Sequence, residues 1–303
     1  MVWLEGIPTW MAAGNSDATA YSGDAGTTWT ANTAGTAQSL NSIGADSRGR
    51  WVTVGLNNAV AYTTDRGSTW TTSSIAVGSS WNGITYDGVS GRWVAAGSQA
   101  GADRFAYSSD GGVSWTVGNM GTTQSMYGIA VDRAGRWVSV GGVGIDRCAF
   151  STDVGASWTI CSIGTGQTVN SIETDGNGRW VAVGNAGTAA YSTDGGVGWT
   201  AVNTGTGASM NDVATDGYRW VAVGNTDSVA YSTDGGVSWT ATSTGVGQNL
   251  NSVATDGRRW IAVGVNDALV ISMDGGVTWS SLSGGTGTGQ QMTSLVFSRL
   301  PLF

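Results

Sequence analysis

Histidine and lysine are absent from this 303-residue chain. Acid–base chemistry would fall to carboxylates, and cationic binding to arginine, which supplies all thirteen basic residues. Only two carboxylates are glutamates, Glu5 and Glu173; the other nineteen are aspartates. Glycoside cleavage needs two carboxyl groups flanking one bond. Glu173 is the side chain that stands out, because the matching positions of similar segments hold Gly44, Thr85, Ala130, Ala214 and Ala254. It would act with a nearby aspartate as a hydrolase, or else line a channel without reacting. Schiff-base chemistry has no lysine to use.

Most of the aspartates belong to a repeat. The motif [S/T]-x-D-x-G-x-[S/T]-W recurs at intervals of 40 to 45 residues in seven copies, the fifth with Gly198 in place of the second hydroxyl residue, with Asp24, Asp65, Asp110, Asp153, Asp194, Asp234 and Asp274 at its centre. A carboxylate there can accept the N–H groups of a tight turn, and the glycine two residues on supplies the backbone freedom. The D-x-G core looks like part of a calcium loop, but one carboxylate per copy falls far short of six to eight oxygen ligands. These aspartates are therefore expected to be structural, with no metal and no cofactor. Six further aspartates (Asp46, Asp87, Asp132, Asp175, Asp216, Asp256) mark a second turn in successive repeats. The net charge of −8 is then largely turn chemistry, and it disfavours nucleic acid as a partner.

These turns need strands between them. In the sixth repeat MNDVATD, RWVAVG, VAYSTD and SWTAT are four short runs rich in Val, Thr, Tyr and Trp, each bounded by Gly, Asn or Asp. No segment carries a helical apolar period. A period of this length made of four strands is a propeller blade. Box tryptophans Trp29, Trp70, Trp115, Trp158, Trp199, Trp239 and Trp279 form one ladder, and Trp10, Trp51, Trp93, Trp137, Trp180, Trp220 and Trp260 a second. Seven copies of each predict an all-β, seven-bladed propeller of four-stranded antiparallel blades in a single domain, 1–303. The blades run roughly 1–37, 38–78, 79–122, 123–165, 166–207, 208–247 and 248–290. The segment 291–303 matches the inner strands in apolar pattern and is expected to complete blade one, closing the ring and removing a sheet edge.

The two cysteines fall in register. If Ser151 faces Trp158 across the fourth hairpin, Cys148 faces Cys161, and a cross-strand disulfide is favoured over two buried thiols. A disulfide would place the chain outside a reducing cytoplasm. No apolar run approaches the 18 residues of a membrane span, and the N-terminus lacks a basic region typical of a signal peptide.

The motif, as in STDGGVSW at Ser232 to Trp239, resembles the Asp-box (bacterial neuraminidase) repeat. That repeat occurs in sialidase-type propellers, in photosystem II assembly factor-like propellers, and in phage tail and surface proteins. The resemblance covers all seven repeats and implies the fold, since those families share the hairpin rather than a chemistry. Sialidase activity would need an arginine cluster gripping a carboxylate, which this sequence does not offer.

With the repeat subtracted, one sector breaks its rule. From the second-strand glycine to the third-strand aromatic the spacing is seven in five blades, but ten in blade three (Gly97 to Tyr107) and nine in blade four (Gly141 to Phe150). The insertions end in Asp103-Arg104 and Asp146-Arg147. Nearby, Trp81 replaces Met, Leu or Val, and Tyr127 replaces a recurrent asparagine. Trp81, Asp103, Arg104, Tyr127, Asp146 and Arg147 are the candidate binding set, for a glycan or a protein partner. The expected role is a non-enzymatic interaction or structural propeller on a particle or cell surface, such as a phage virion, within a larger assembly. A carbohydrate-binding lectin, a glycoside hydrolase at Glu173 and an assembly factor that docks a protein on the disc are the alternatives.

Overall fold

Each repeat of alternating apolar residues closes into a four-stranded antiparallel sheet, and seven such sheets form a ring. The structure is a computed structural model and describes residues 9–46, 48–75, 78–99, 102–142 and 147–298, with the backbone alone at 99, 102 and 103. Blade six is representative: Met210–Thr215 lies innermost, followed outward by Trp220–Gly224, Ser228–Ser232 and Thr240–Ser243. Blade one takes its inner strand from the far end of the chain. Met292–Ser298 pairs antiparallel with Thr9–Gly14, placing Trp10 opposite Phe297 and Ala12 opposite Leu295. The ring is thus closed as the sequence predicts, although residues 1–8 and 299–303 lie outside the described residues.

The core is divided among the seams between blades. Trp220 packs with Val181, Val183 and Ala189 of the preceding blade, and Trp260 with Val221, Val223 and Val229 of its own predecessor. All seven second-strand tryptophans are fully buried. Each such indole removes about 150–250 Å² from water, up to roughly 4–6 kcal/mol. The ladder is therefore the main adhesive between blades. The glycine closing each second strand answers a spatial demand: a Cβ on Gly55 would sit 2.1 Å from the Ser39 carbonyl oxygen. That close approach occurs where the inner strand bulges between its first and third residues, as at Leu40/Ser42.

In six blades an arginine precedes the second-strand tryptophan, and five of these arginines, all but Arg179, donate to a hairpin carbonyl of the next blade. Arg50 lies over Tyr62 at 5.1 Å and donates to the Gly111 carbonyl at 2.6 Å; Arg92 stacks on Tyr107 and reaches Val154; Arg136 stacks on Phe150 and reaches Gly195. These arginines are staples between neighbouring hairpins.

Cys148 pairs with Cys161 across the third and fourth strands of blade four, and the two are disulfide-bonded with a sequence separation of 13. Closing a loop of this size should stabilise the blade by roughly 2–3 kcal/mol through the unfolded state. Reductant is accordingly expected to lower the denaturation midpoint of the native chain and to leave Cys148→Ser/Cys161→Ser unmoved. A native midpoint indifferent to reductant would contradict this.

Candidate functional site

The seven boxes are self-contained. In box six the Asp234 Oδ1 accepts from the Ser232 hydroxyl and the Ser238 amide at 2.9 Å each, while Oδ2 accepts from the Ser238 hydroxyl at 2.5 Å. The Ser232 hydroxyl in turn accepts from the Gly236 amide. The same set recurs at Asp24, Asp65, Asp110, Asp153 and Asp274, and at Asp194 with Gly198 supplying only its amide. Hydrogen bonds from Ser157 and Ser151 hold the Asp153 carboxyl at about 2. Both carboxylate oxygens are thus committed to the hairpin.

The inner strands enclose a channel cavity of about 390 Å³. Around one mouth runs a belt of side chains, each donating to the first residue of the next blade. Asn41 reaches the Trp81 carbonyl, Asn82 Met126, Asn170 Met210, Asn211 Leu250 and Asn251 Met292, and Thr293 completes the ring to Leu40 at 2.6 Å. The bulge at this position turns these side chains toward the neighbour. Tyr127 occupies the belt position in blade four, half-buried on the channel wall, and no amide there bridges to blade five.

One step further in, a second belt uses hydroxyls. Ser294 accepts from the Ile43 amide, Ser42 from Ile84, and Ser252 from Leu295. In blade six the belt residue is Asp212. Its Oδ1 accepts from the Ser171 hydroxyl (2.7 Å) and the Val213 amide (2.9 Å), and its Oδ2 from the Ser252 hydroxyl (2.6 Å) and the Val253 amide (3.0 Å). One carboxylate therefore joins blades five, six and seven. Glu173 lines the same wall, and its Oε1 accepts from the Thr174 amide at 2.8 Å. Burial pushes the Glu173 carboxyl up to about 7 against that hydrogen bond, and the nearby Asp212 charge adds to the rise. Burial also raises Asp212, opposed by its four donors. Glu173 thus stands on the channel wall. Asp212 escaped the sequence reading, although comparing the third inner-strand position across blades (Ser42, Gly83, Gly128, Ser171, Asp212, Ser252, Ser294) would have exposed it.

The C-terminal ends of the second strands, at the same mouth as the asparagine belt, carry the irregular loops. Blades one, two, five and seven turn there through three-residue 3₁₀ segments such as Asn15–Asp17 and Val265–Asp267. In blade one Asp17, in the left-handed region at φ 66°, accepts from Gly35 and Thr36 of the following inter-blade loop; Asp227 and Asp267 do the same in blades six and seven. Blade three instead extends a hairpin, Arg92–Gln99 with Ala102–Ser108, beyond Gly97. Arg104 lies opposite Gly97 and Arg147 opposite Gly141, the same register in adjacent blades, and both are partly exposed. Asp103 is placed only by its backbone, and Asp146 lies outside the described residues.

One member of the expected binding set is corrected. Trp81 has no exposed surface; it packs with Val52, Val54, Val60 and Ile75 in the seam between blades two and three. Its equivalents Leu40, Met126, Val169, Met210, Leu250 and Met292 are buried in the same way, so tryptophan here is one more apolar plug. The structure keeps Arg104, Tyr127 and Arg147 in one sector and removes the aromatic platform. Among the described residues no group of three or more Cys, Asp and Glu is placed to hold a metal ion.

The family model for the BNR/Asp-box repeat matches residues 230–241, the hairpin of box six, whose hydrogen bonds six other hairpins repeat. The chain is a BNR/Asp-box repeat β-propeller. A sequence search of curated proteins gave no match. By structure this BNR propeller is similar to one described as YCF48 bound to D1 peptide, with 17% identity over 86% of this chain and 91% of the other, at a TM-score of 0.65. It is also similar to YCF48 from Cyanidioschyzon merolae, with 15% identity over 90% and 95% of the two chains and a TM-score of 0.62. At these identities the likeness is one of fold.

Proposed function

We propose that this BNR propeller is a non-enzymatic, protein-binding module whose docking surface is the variable-loop face at blades three and four. The observation that carries the reading is the local break in seven-fold order. An extended hairpin, two arginines in equal register and the Tyr127 interruption of the asparagine belt all fall in one sector. Arginine and tyrosine are favoured anchors at protein interfaces. A propeller of the same fold described as bound to a peptide supports the choice of partner class.

Several features weigh against catalysis. Asp212 spends both oxygens on four internal donors, which leaves it a poor partner for Glu173 in glycoside cleavage. The lectin alternative loses its aromatic platform with the burial of Trp81. Display on a particle surface such as a phage virion is the finer reading we favour, and the Cys148–Cys161 disulfide supports an oxidising location. Among the described residues no helix is long and apolar enough to cross a membrane.

The test is capture of partners from the native source. Arg104→Glu/Arg147→Glu is expected to weaken a captured partner at least about tenfold, the cost of roughly 1.4 kcal/mol at an interface anchor. Arg258→Glu, on the Asp-box face, should leave capture intact. Equal loss in both variants would sink the assignment to this face.

A further inference from the structure

The channel wall holds two carboxyl groups in unequal circumstances. Asp212 has four donors, two hydroxyls and two amides, and is equipped to carry a charge. Glu173 has the single Thr174 amide. Arginine is absent from the residues lining the cavity, so nothing cationic on that wall offsets a second negative charge.

The surroundings of Glu173 can be listed strand by strand. Its own strand, Val169–Thr174, packs against the inner and second strands of blade four (Met126–Val131 and Trp137–Gly141), the second strand of blade five (Trp180–Gly184) and the inner strand of blade six (Met210–Thr215). The titratable side chains on these are Tyr127 and Asp212 alone. Beyond Thr174, at the far mouth, stand Arg133, Asp175, Asp216 and Asp256. Arg133 is engaged with the Asn177 amide oxygen, and the three aspartates with the backbone amides of their own turns. Across the cavity the wall is Tyr86, Phe297, aliphatic side chains such as Ile43, Ile84 and Leu295, and small or amide side chains.

We propose that Glu173 is a proton-operated switch on the seam between blades five and six, closing the seam when protonated and loosening it when ionised. Ionisation sets one carboxylate of blade five against the carboxylate that staples blades five, six and seven together. The strain falls on the Ser171–Asp212 hydrogen bond, the side-chain link between those two blades within the hydroxyl belt. The sign follows from linkage. A carboxyl raised above its ordinary 4.5 to about 7 in the folded chain binds its proton more tightly folded than unfolded. Its stabilising effect is complete below about 4.5, declines as pH rises, and is gone above about 7. The seam is thus tightest in mild acid and loosens at neutral to basic pH.

Two glutamates in the whole chain make the test direct. With side-chain carboxyl carbons of glutamate labelled, the spectrum has two signals, and Glu173→Gln assigns them. The Glu173 signal should titrate near pH 7, well above that of Glu5. Between pH 6 and 8, amide exchange in 169–174 and 210–215 should accelerate beyond the intrinsic effect of hydroxide, and Glu173→Gln should abolish the excess. Asp212→Ser restores the residue that blades one, two, five and seven use at this position, so the fold should survive it. That variant should lower the Glu173 midpoint and flatten the pH response. Titration of Glu173 together with Glu5, or a seam that responds to pH identically in native chain and variants, would overturn the switch.

Discussion

Trp137→Ala is expected to lower the stability of the ring by about 4–8 kcal/mol, combining a core cavity with a broken buried hydrogen bond. The indole is fully buried in the seam between blades three and four, among Phe105, Met126 and Ile129. Large-to-small truncation of such a ring costs about 3–5 kcal/mol. Its Nε1 also donates to Asp87 Oδ2 at 2.8 Å, where Asp87 is fully buried and otherwise held by Val89 and Ser90. Leaving a buried acceptor short of a donor adds about 1–3 kcal/mol. Trp180→Ala serves as the comparison, because that indole N–H makes no hydrogen bond and its loss should cost the cavity alone. Trp137→Phe should isolate the bond. Denaturation midpoints decide the matter: equal losses in Trp137→Ala and Trp180→Ala would refute the added cost.

That pair of tryptophans shows how far a repeat can be read. Both belong to the same ladder, and the ladder alone locates them in seams between blades. The sequence treats Asp87 as one of six equivalent turn aspartates. In the structure Asp46, Asp132 and Asp175 accept mainly from amides of their own turns, whereas Asp87 closes a longer turn and reaches the neighbouring blade. Repetition reveals the average blade; departures from it depend on loop length, which changes where a carboxylate points.

The candidate site was legible to the same degree. Tyr127, Arg104, Arg147 and Glu173 stand out in the sequence because each breaks a column of the repeat. Trp81 breaks its column in size only, since that column is apolar in every blade, and it is buried accordingly. Asp212 breaks its column in charge, which a comparison of that column exposes, but the bulge at the preceding residue hides which way its side chain faces. Simple alternation does not carry through a two-for-one pairing, so inward and outward positions cannot be assigned across it from sequence alone. The Asp17, Asp227 and Asp267 clamps were missed for a related reason. Their partners lie 17 to 22 residues on, in the next inter-blade loop, where no local pattern signals the contact.

The closing strand carries the second large expected effect. Deleting 292–303 should cost about 5 kcal/mol or more, since Met292 and Leu295 alone represent two buried side chains at about 2–5 kcal/mol each. The strand also ties blade one to both of its neighbours. Thr293 donates to Leu40 and Ser298 to the Asp46 carbonyl on the blade-two side; Leu295 donates to Ser252 and Met292 accepts from Asn251 on the blade-seven side. Without it the Thr9–Gly14 strand becomes an unpaired inner edge beside an uncovered Trp10, a template for association between chains. The truncated chain is expected to unfold at much lower denaturant and to self-associate in sedimentation. Because the missing piece is a single strand with a defined register, a synthetic peptide of residues 288–299 should bind the truncated chain and restore part of the loss by strand addition. Leu295→Asp in that peptide should prevent the rescue, since it would place a carboxylate in the seam with Trp10 and Ile261. A truncated chain as stable and monodisperse as the intact one would show instead that the ring holds through its seams without covalent continuity into blade one.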